Sequence, residues 1–287
     1  MLKLKISHLT EYQYDNKISL GLHDLFLIPQ IQPNQRLIDW GLEMNPTPDS
    51  SSVRTDLFGN QYSQIWFKEP LDFLSIKNEI VLISSEFNPF NFLIDPEFEV
   101  EPKDDSLPAF QYSNEEKDYL NFFIRKEGGQ VFESDLVEIF SGSSNLLDFL
   151  VKLTSSIYSC WKHQIRMEQD LWSPEFTYSK KEGSCRDLAW MQMHMLGSIG
   201  LATRFVSGYA FNPEIESGHE LHAWIEVYIP GASWIGLDPS LGLLVGHNYV
   251  PLAHHPDPQK TLPVQGKFFG EGKSELFTEV KINEVKD

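Results

Sequence analysis

Residues 183–211 read GSCRDLAWMQMHMLGSIGLATRFVSGYAF, and how this stretch folds decides the architecture around it. Ser184 followed three residues later by Asp187 is a capping-box pattern, which puts Cys185 at the first helical position. Leu188, Ala189, Trp190, Met191, Met193, Met195, Leu196 and Ile199 leave almost no polar face, so the spacing predicts a helix buried nearly all round. Gly197 permits close packing and Gly200 suits the C-terminal cap. A thiol at such a helix start is favoured as thiolate, because unpaired backbone N–H groups and the helix dipole both attract negative charge. The same position also suits an inert buried cysteine, and Asp187 is read as serving the helix rather than the chemistry.

Thirty-seven residues after the thiol, His222 opens the alternating run HAWIEVYI. On a strand over 221–229, His222, Trp224, Glu226 and Tyr228 share one face, and Ala223, Ile225, Val227 and Ile229 face the core. Gly231-Ala232 reads as a hairpin turn into a second strand over 233–237, and Asp238 follows it. A carboxylate there could accept the second N–H of the imidazole, fix its tautomer and stabilise an imidazolium beside the thiolate. Alone, His222 could be a structural histidine and Asp238 a turn residue before Pro239. Together, a thiol, an imidazole and a carboxylate in this order are the components of nucleophilic acyl transfer. The backbone N–H of Cys185 supplies one oxyanion donor; Trp172 and Tyr178, upstream, are candidates for the second.

Bulk composition narrows the alternatives. The 287 residues are 41% hydrophobic and 13% aromatic, enough for a sizeable core in one large or two medium domains. Against 23 basic residues stand 41 acidic ones, a formal charge of −18, which argues against nucleic acid or an anionic membrane as partner. The expected partner is a protein or peptide substrate. Two cysteines, Cys160 and Cys185, are too few for a disulfide framework. The N-terminus has no apolar signal-peptide core and no stretch is long enough for a membrane span, so a reducing cytoplasm is the expected setting. Cys160, His163 and Cys185, or His254-His255, could ligate a metal, but structural zinc needs four ligands in paired spacing, and no cofactor is expected.

Along the chain, the first hundred residues alternate with period two. Leu2-Leu4-Ile6, Thr10-Tyr12-Tyr14, 51–57 and 61–67 around the turn Asp56-Leu57-Phe58-Gly59-Asn60, and 71–85 all read as strands. An antiparallel β-sandwich of six or seven strands is expected over residues 1–105. The charged, proline-bearing segment 101–115 reads as a linker. Helical spacing follows over 114–126 and 145–161, the latter capped at Ser144-Asn145, while 162–182 is polar and irregular. Strands over 202–208, 221–229 and 233–237 come next, and the tail from Thr261 is expected to form a hairpin turning at Gly270-Glu271-Gly272. Residues 106–287 are thus helices first, then an antiparallel sheet: an α+β order, with the nucleophile on a central helix and the base on a facing sheet, as in papain-like proteins.

These strings, with residues 222–240 (HAWIEVYIPGASWIGLDPS), resemble the core of bacterial transglutaminase-like proteins. That superfamily includes transglutaminases, papain-like cysteine peptidases and peptide N-glycanases. The resemblance spans about 144–272. The segment ahead, with His8, Tyr12, Tyr14, Leu27-Ile28-Pro29 and Asp56–Asn60, resembles the N-terminal β domain that accompanies this core. It implies a catalytic triad of Cys185, His222 and Asp238 and a thioester acyl-enzyme, released by water in a peptidase or amidase and by an amine in a transglutaminase. Hydrolysis is the expected outcome; the absence of a calcium loop of the Asp-x-Asp-x-Asp-Gly kind argues only against the calcium-switched animal type of transglutaminase, and a non-catalytic peptide-binding module is the remaining alternative. One departure falls at 250–266, where His255-Pro256-Asp257 and Lys260 replace the family's usual Gly-Arg-Asp, acidic residue and Pro. If that stretch lined the cleft, substrate preference would differ.

Overall fold

The computed structural model describes residues 1–100, 106–125, 128–166, 168, 170–214 and 220–285. The first five residues of the expected linker, the end of the 114–126 helix at Lys126 and the 105/106 division fall on or beside residues outside this set. Strands β1 (Leu2–Leu25), β2 (Gln35–Asn45), β3 (Ser50–Thr55), β4 (Gln61–Trp66) and β5 (Leu71–Ser84) run antiparallel in the order β2-β5-β1-β4-β3. The two short alternating runs at the start are one long strand, β1. Its pairing with β5 is in register from Leu2 to Gln13, then shifts before Ile18. Past this bend the same strand pairs with β4. The β-rich region is therefore present, and its two halves share β1 and stay hydrogen-bonded as one sheet.

The middle of the chain runs α1 (Asn114–Leu120), α2 (Glu133–Ser141), α3 (Leu146–Cys160), β6 (Lys162–His163), α4 (Pro174–Lys180), β7 (Glu182–Gly183) and α5 (Cys185–Ser198), then β8 (Thr203–Ala210), β9 (Leu221–Ile229), β10 (Ser233–Asp238), β11 (Leu243–Leu244) and β12 (Tyr249–His255). The last five form an antiparallel sheet ordered β11-β10-β9-β8-β12. The α+β order holds. Ala223, Ile225, Val227 and Ile229 pack with Leu150, Leu153, Leu188 and Met191 in the larger hydrophobic core. Asn145 caps α3 by accepting from the Asp148 N–H. A side chain at Gly197 would meet the Arg125 backbone carbonyl at 2.5 Å, so only glycine allows α5 so close to that segment. Three elements escape periodicity. Helix α4 lies within 162–182, which reads as irregular; Ser173 caps it and Pro174 opens it, a start signal on a helix too short to show a period. Helix α2 spans two and a half turns. Strand β12 is buried on both faces over Tyr249–Ala253, and so does not alternate.

The tail departs from expectation. Strands β13 (Val264–Phe269) and β14 (Ser274–Glu284) both run antiparallel to β1, against Ser19–Leu25 and Leu4–Tyr14 in turn. Gly270-Glu271-Gly272 is therefore not a hairpin turn. It is the interruption where the chain passes the bend of β1, held by Asn16 donating to the Glu271 carbonyl and by Lys273 N–H donating to Asp15. Grouped by sequence with residues 106–287, the tail completes the N-terminal sheet at seven strands instead.

A second core joins the sheets: Leu4, Ile6, Ile80 and Leu82 pack with Tyr209, Phe211, Val250 and Leu252. Polar clamps bind the N-terminal part to the edge strand β12. The Asn60 side chain pairs with the His254 backbone like a neighbouring strand, Nδ2 donating to the carbonyl at 2.8 Å and Oδ1 accepting from the N–H at 2.9 Å. Gln35 donates to the Tyr249 carbonyl at 2.7 Å. An exposed sheet edge is thereby covered. Among the described residues no helix is long and apolar enough to cross a membrane.

Candidate active site

Ser184 accepts from the Asp187 N–H and the Asp187 carboxylate accepts from the Ser184 N–H, so the capping box forms and Cys185 is the first residue of α5. Its thiol is half-buried. His222, the second residue of β9, hydrogen-bonds with this thiol. Its Nε2 lies 2.6 Å from Asp238 Oδ2, which leaves Nδ1 for the sulfur. Asp238, at the end of β10, is fully buried. Oδ1 accepts from the Ser240 N–H and hydroxyl at 2.9 and 2.7 Å and from the Leu241 N–H at 3.2 Å. Oδ2 accepts from the Tyr249 hydroxyl at 2.8 Å. The three residues proposed from the sequence thus come together in one hydrogen-bonded line.

Electrostatics follow from that line. Burial pushes the Cys185 thiol up, but hydrogen bonds from His163 and His222, with the charge on His222, outweigh it and bring the thiol down to about 6. Burial pulls His222 down, and the charge and hydrogen bond of Asp238, joined by Cys185, hold it well above the ordinary imidazole range. Burial would raise Asp238; His222, Ser240 and Tyr249 keep it below the usual carboxylate value. These directions favour a thiolate beside an imidazolium, oriented by a carboxylate.

Around the triad the structure sorts the remaining candidates. Asp187 serves the helix and more: it accepts from Arg166 at 2.9 Å through both oxygens and from the Trp172 N–H at 2.9 Å. Trp172 meets Phe176 edge-on and lies against the Arg166 guanidinium with its ring face. The Tyr178 hydroxyl is engaged by Asp135. Trp224 is fully buried against Tyr249 and Glu226 pairs with Arg204, so the second face of β9 is covered rather than solvated. His255 packs edge-on against Phe58 at 4.3 Å and Arg125 donates to the Pro256 carbonyl, which puts this departure from the family pattern at the junction with the N-terminal turn. Cys160 is exposed at the end of α3. Sequence reasoning missed the contacts of His163, Tyr249 and Ser240. His163 had surfaced only as a metal ligand candidate.

Comparison with known proteins agrees with this architecture. Residues 4–82 match the bacterial transglutaminase-like N-terminal region and residues 136–239 match the transglutaminase-like superfamily core. An uncharacterised protein of Mycobacterium tuberculosis H37Rv is 24% identical over 274 residues, covering 92% of this chain and 87% of its own. One from Mycobacterium leprae is 28% identical over 109 residues, 36% of this chain and 38% of its own. A crystal structure from Cytophaga hutchinsonii, provisionally named a cysteine protease, superposes with a TM-score of 0.72 at 18% identity, covering 100% of this chain and 91% of that one. With both regions present in family order on a matching fold, the chain belongs to the bacterial transglutaminase-like proteins of the transglutaminase-like superfamily.

Proposed function

We propose that the protein is a cysteine-dependent hydrolase acting on protein or peptide amides. The observation that carries this reading is the hydrogen-bonded line Cys185–His222–Asp238, with the thiol depressed to about 6 and the imidazole raised. The Cys185 thiolate attacks the amide carbon, forming C–S and sending the carbonyl electrons to oxygen. The His222 imidazolium then gives its proton to the amide nitrogen as the C–N bond breaks, leaving a thioester. Neutral His222 next takes a proton from water, whose oxygen attacks the thioester carbon. The C–S bond breaks and the thiolate–imidazolium pair is restored. Asp238 keeps the ring oriented and stabilises its charged form throughout. The half-buried thiol and the exposed His163 beside it leave the site open to water, which favours hydrolysis over transfer to an amine. A reducing cytoplasm, which would keep both free cysteines reduced, is the compartment proposed.

The test is incubation with a peptide library and a tagged primary amine, followed by mass spectrometry. Cleavage or deamidation that vanishes in Cys185→Ala is the expected result. Amine incorporation in place of hydrolysis would make the protein a transglutaminase, and turnover by Cys185→Ala at the wild-type rate would remove Cys185 as nucleophile.

A further inference from the structure

A second imidazole meets the reactive sulfur. His163 is set by its pairing opposite Gly183, two residues before Cys185, and its ring is one of the two imidazoles that lower the thiol. Its position is built rather than incidental. Strand β6 pairs in parallel with β7, with Lys162 opposite Glu182 and His163 opposite Gly183. The Lys162 N–H donates to the Lys181 carbonyl and the Gln164 N–H to the Gly183 carbonyl, both at 2.9 Å. That short ladder fixes His163 beside Gly183, which is two residues ahead of the nucleophile. Just beyond it, Arg166 ties the same segment to Asp187 in the first turn of α5. Gly183 is required at this crossing, since a side chain there would meet Asp187 Cβ at 2.9 Å. The ring is not buried: it borders an open groove with Tyr158, Trp161, Lys162 and Lys181.

We propose that His163 is the second oxyanion donor, its ring N–H passing from the thiolate in the resting enzyme to the carbonyl oxygen of the tetrahedral adduct. The inference rests on Cys185 acting as an acyl-accepting nucleophile. Attack by Sγ turns the thiolate into a neutral thioether sulfur and moves the negative charge onto the substrate oxygen, one bond beyond the new C–S bond. A donor already held against Sγ is within reach of that oxygen. The N–H of Cys185, left without an intrahelical partner at the helix start, provides the other donor. His222 is committed to Asp238 and to the proton of the leaving group, so it cannot serve both needs. Of the sequence candidates, the Tyr178 hydroxyl is engaged by Asp135, and the Trp172 ring is packed by Arg166 and Phe176.

Two thiol reagents separate the roles. Iodoacetamide alkylates a thiolate without forming an oxyanion, whereas p-nitrophenyl acetate acylates it through one. The ratio of acylation to alkylation rate at Cys185, followed by mass shift across pH 6–9, cancels any change in thiolate fraction. The ratio is expected to fall about a hundredfold in His163→Ala, the size of one lost oxyanion donor, and to recover most of that in His163→Gln, which retains an N–H. Circular dichroism of both variants should match wild type, as the substituted side chain is exposed. An unchanged ratio in His163→Ala overturns the oxyanion role. A wild-type ratio no higher than that of free cysteine overturns the underlying reading of Cys185, and the two failures are thereby told apart.

Discussion

Cys185 is ordinary in composition and unusual in surroundings. A thiol brought to about 6 is ionised over most of the neutral range, and His222, raised well above the imidazole value, stays protonated there. The sign of the pH dependence follows. Cys185 alkylation and kcat/KM should rise as pH passes upward through about 6, where the pair forms. Activity should fall again only on the alkaline side, above the ordinary imidazole range, where His222 loses its proton. A rising limb centred near 8.5, measured from pH 5 to 10, would mean that the pair does not exist. Behind the pair, Asp238 receives four donors besides His222, and Tyr249 is one of them. Tyr249→Phe removes a hydrogen bond to a buried charge, worth about 1.5–3 kcal/mol. A stability loss of that order by urea titration and a drop in kcat/KM of about tenfold are expected. Asp238→Asn, which lets the ring turn or take the wrong tautomer, should cost about ten-thousandfold in kcat. The meeting of Cys185, His222 and Asp238 could be read from the chain because a capped helix start and two strand positions each announce themselves locally. Tyr249 could not, since nothing local marks a tyrosine on a non-alternating strand as a partner for a carboxylate on another.

The helix that carries the thiol depends on a buried carboxylate. Asp187 closes the capping box and also holds the Arg166 guanidinium, whose side chain is only 9% exposed, and the Trp172 backbone. The capping role was visible as Ser-x-x-Asp; the anchoring role was not, because Arg166 lies in a stretch without periodicity that the β6–β7 pairing just before it brings to the helix. The same blindness hid α4 and β12: a seven-residue helix is too short to repeat, and a strand buried on both sides has no polar face to alternate. Two substitutions separate cap from anchor. Ser184→Ala loses a cap and should cost about 1 kcal/mol. Asp187→Ala removes the other half of the box, the acceptor for the Ser184 N–H, and leaves the buried Arg166 without its main partner, so a loss of about 3–5 kcal/mol is expected. Urea midpoints of the two variants, measured side by side, check the order; equal losses would mean that Arg166 contributes nothing beyond the cap.

Across the whole molecule, the two sheets are joined by groups that are neutral only while buried. His8, 1% exposed on β1, lies 2.9 Å from the Tyr209 hydroxyl on β8 and within 3.3 Å of the Thr10 and Thr278 hydroxyls. Burial lowers it to about 4. His254 on β12 faces Phe58, Arg204, Glu226 and Asp56, and burial with the nearby Arg204 brings it also to about 4. Both residues sit where the N-terminal sheet, closed by the tail strands, meets the sheet of the active site. A histidine with a depressed folded pKa contributes stability that is whole above 6.5 and is lost as pH falls toward 4, because the unfolded chain binds the proton first. For His8 the loss approaches about 3 kcal/mol over that interval, at about 1.4 kcal/mol per pH unit. Of the active-site groups only the thiol titrates inside this window: at about 6 it adds to the loss between 6.5 and 5 in wild type and His8→Gln alike, so the difference between their slopes reports His8. The stabilisation from the raised His222 is already complete below 6.5, and that from Asp238 is lost only from the ordinary carboxylate value downward. The urea midpoint should therefore decline steadily from pH 6.5 to 4.5, and His8→Gln should flatten that slope whatever it does to stability at pH 7. A slope unaltered by His8→Gln would show that the junction between the sheets does not titrate through this residue.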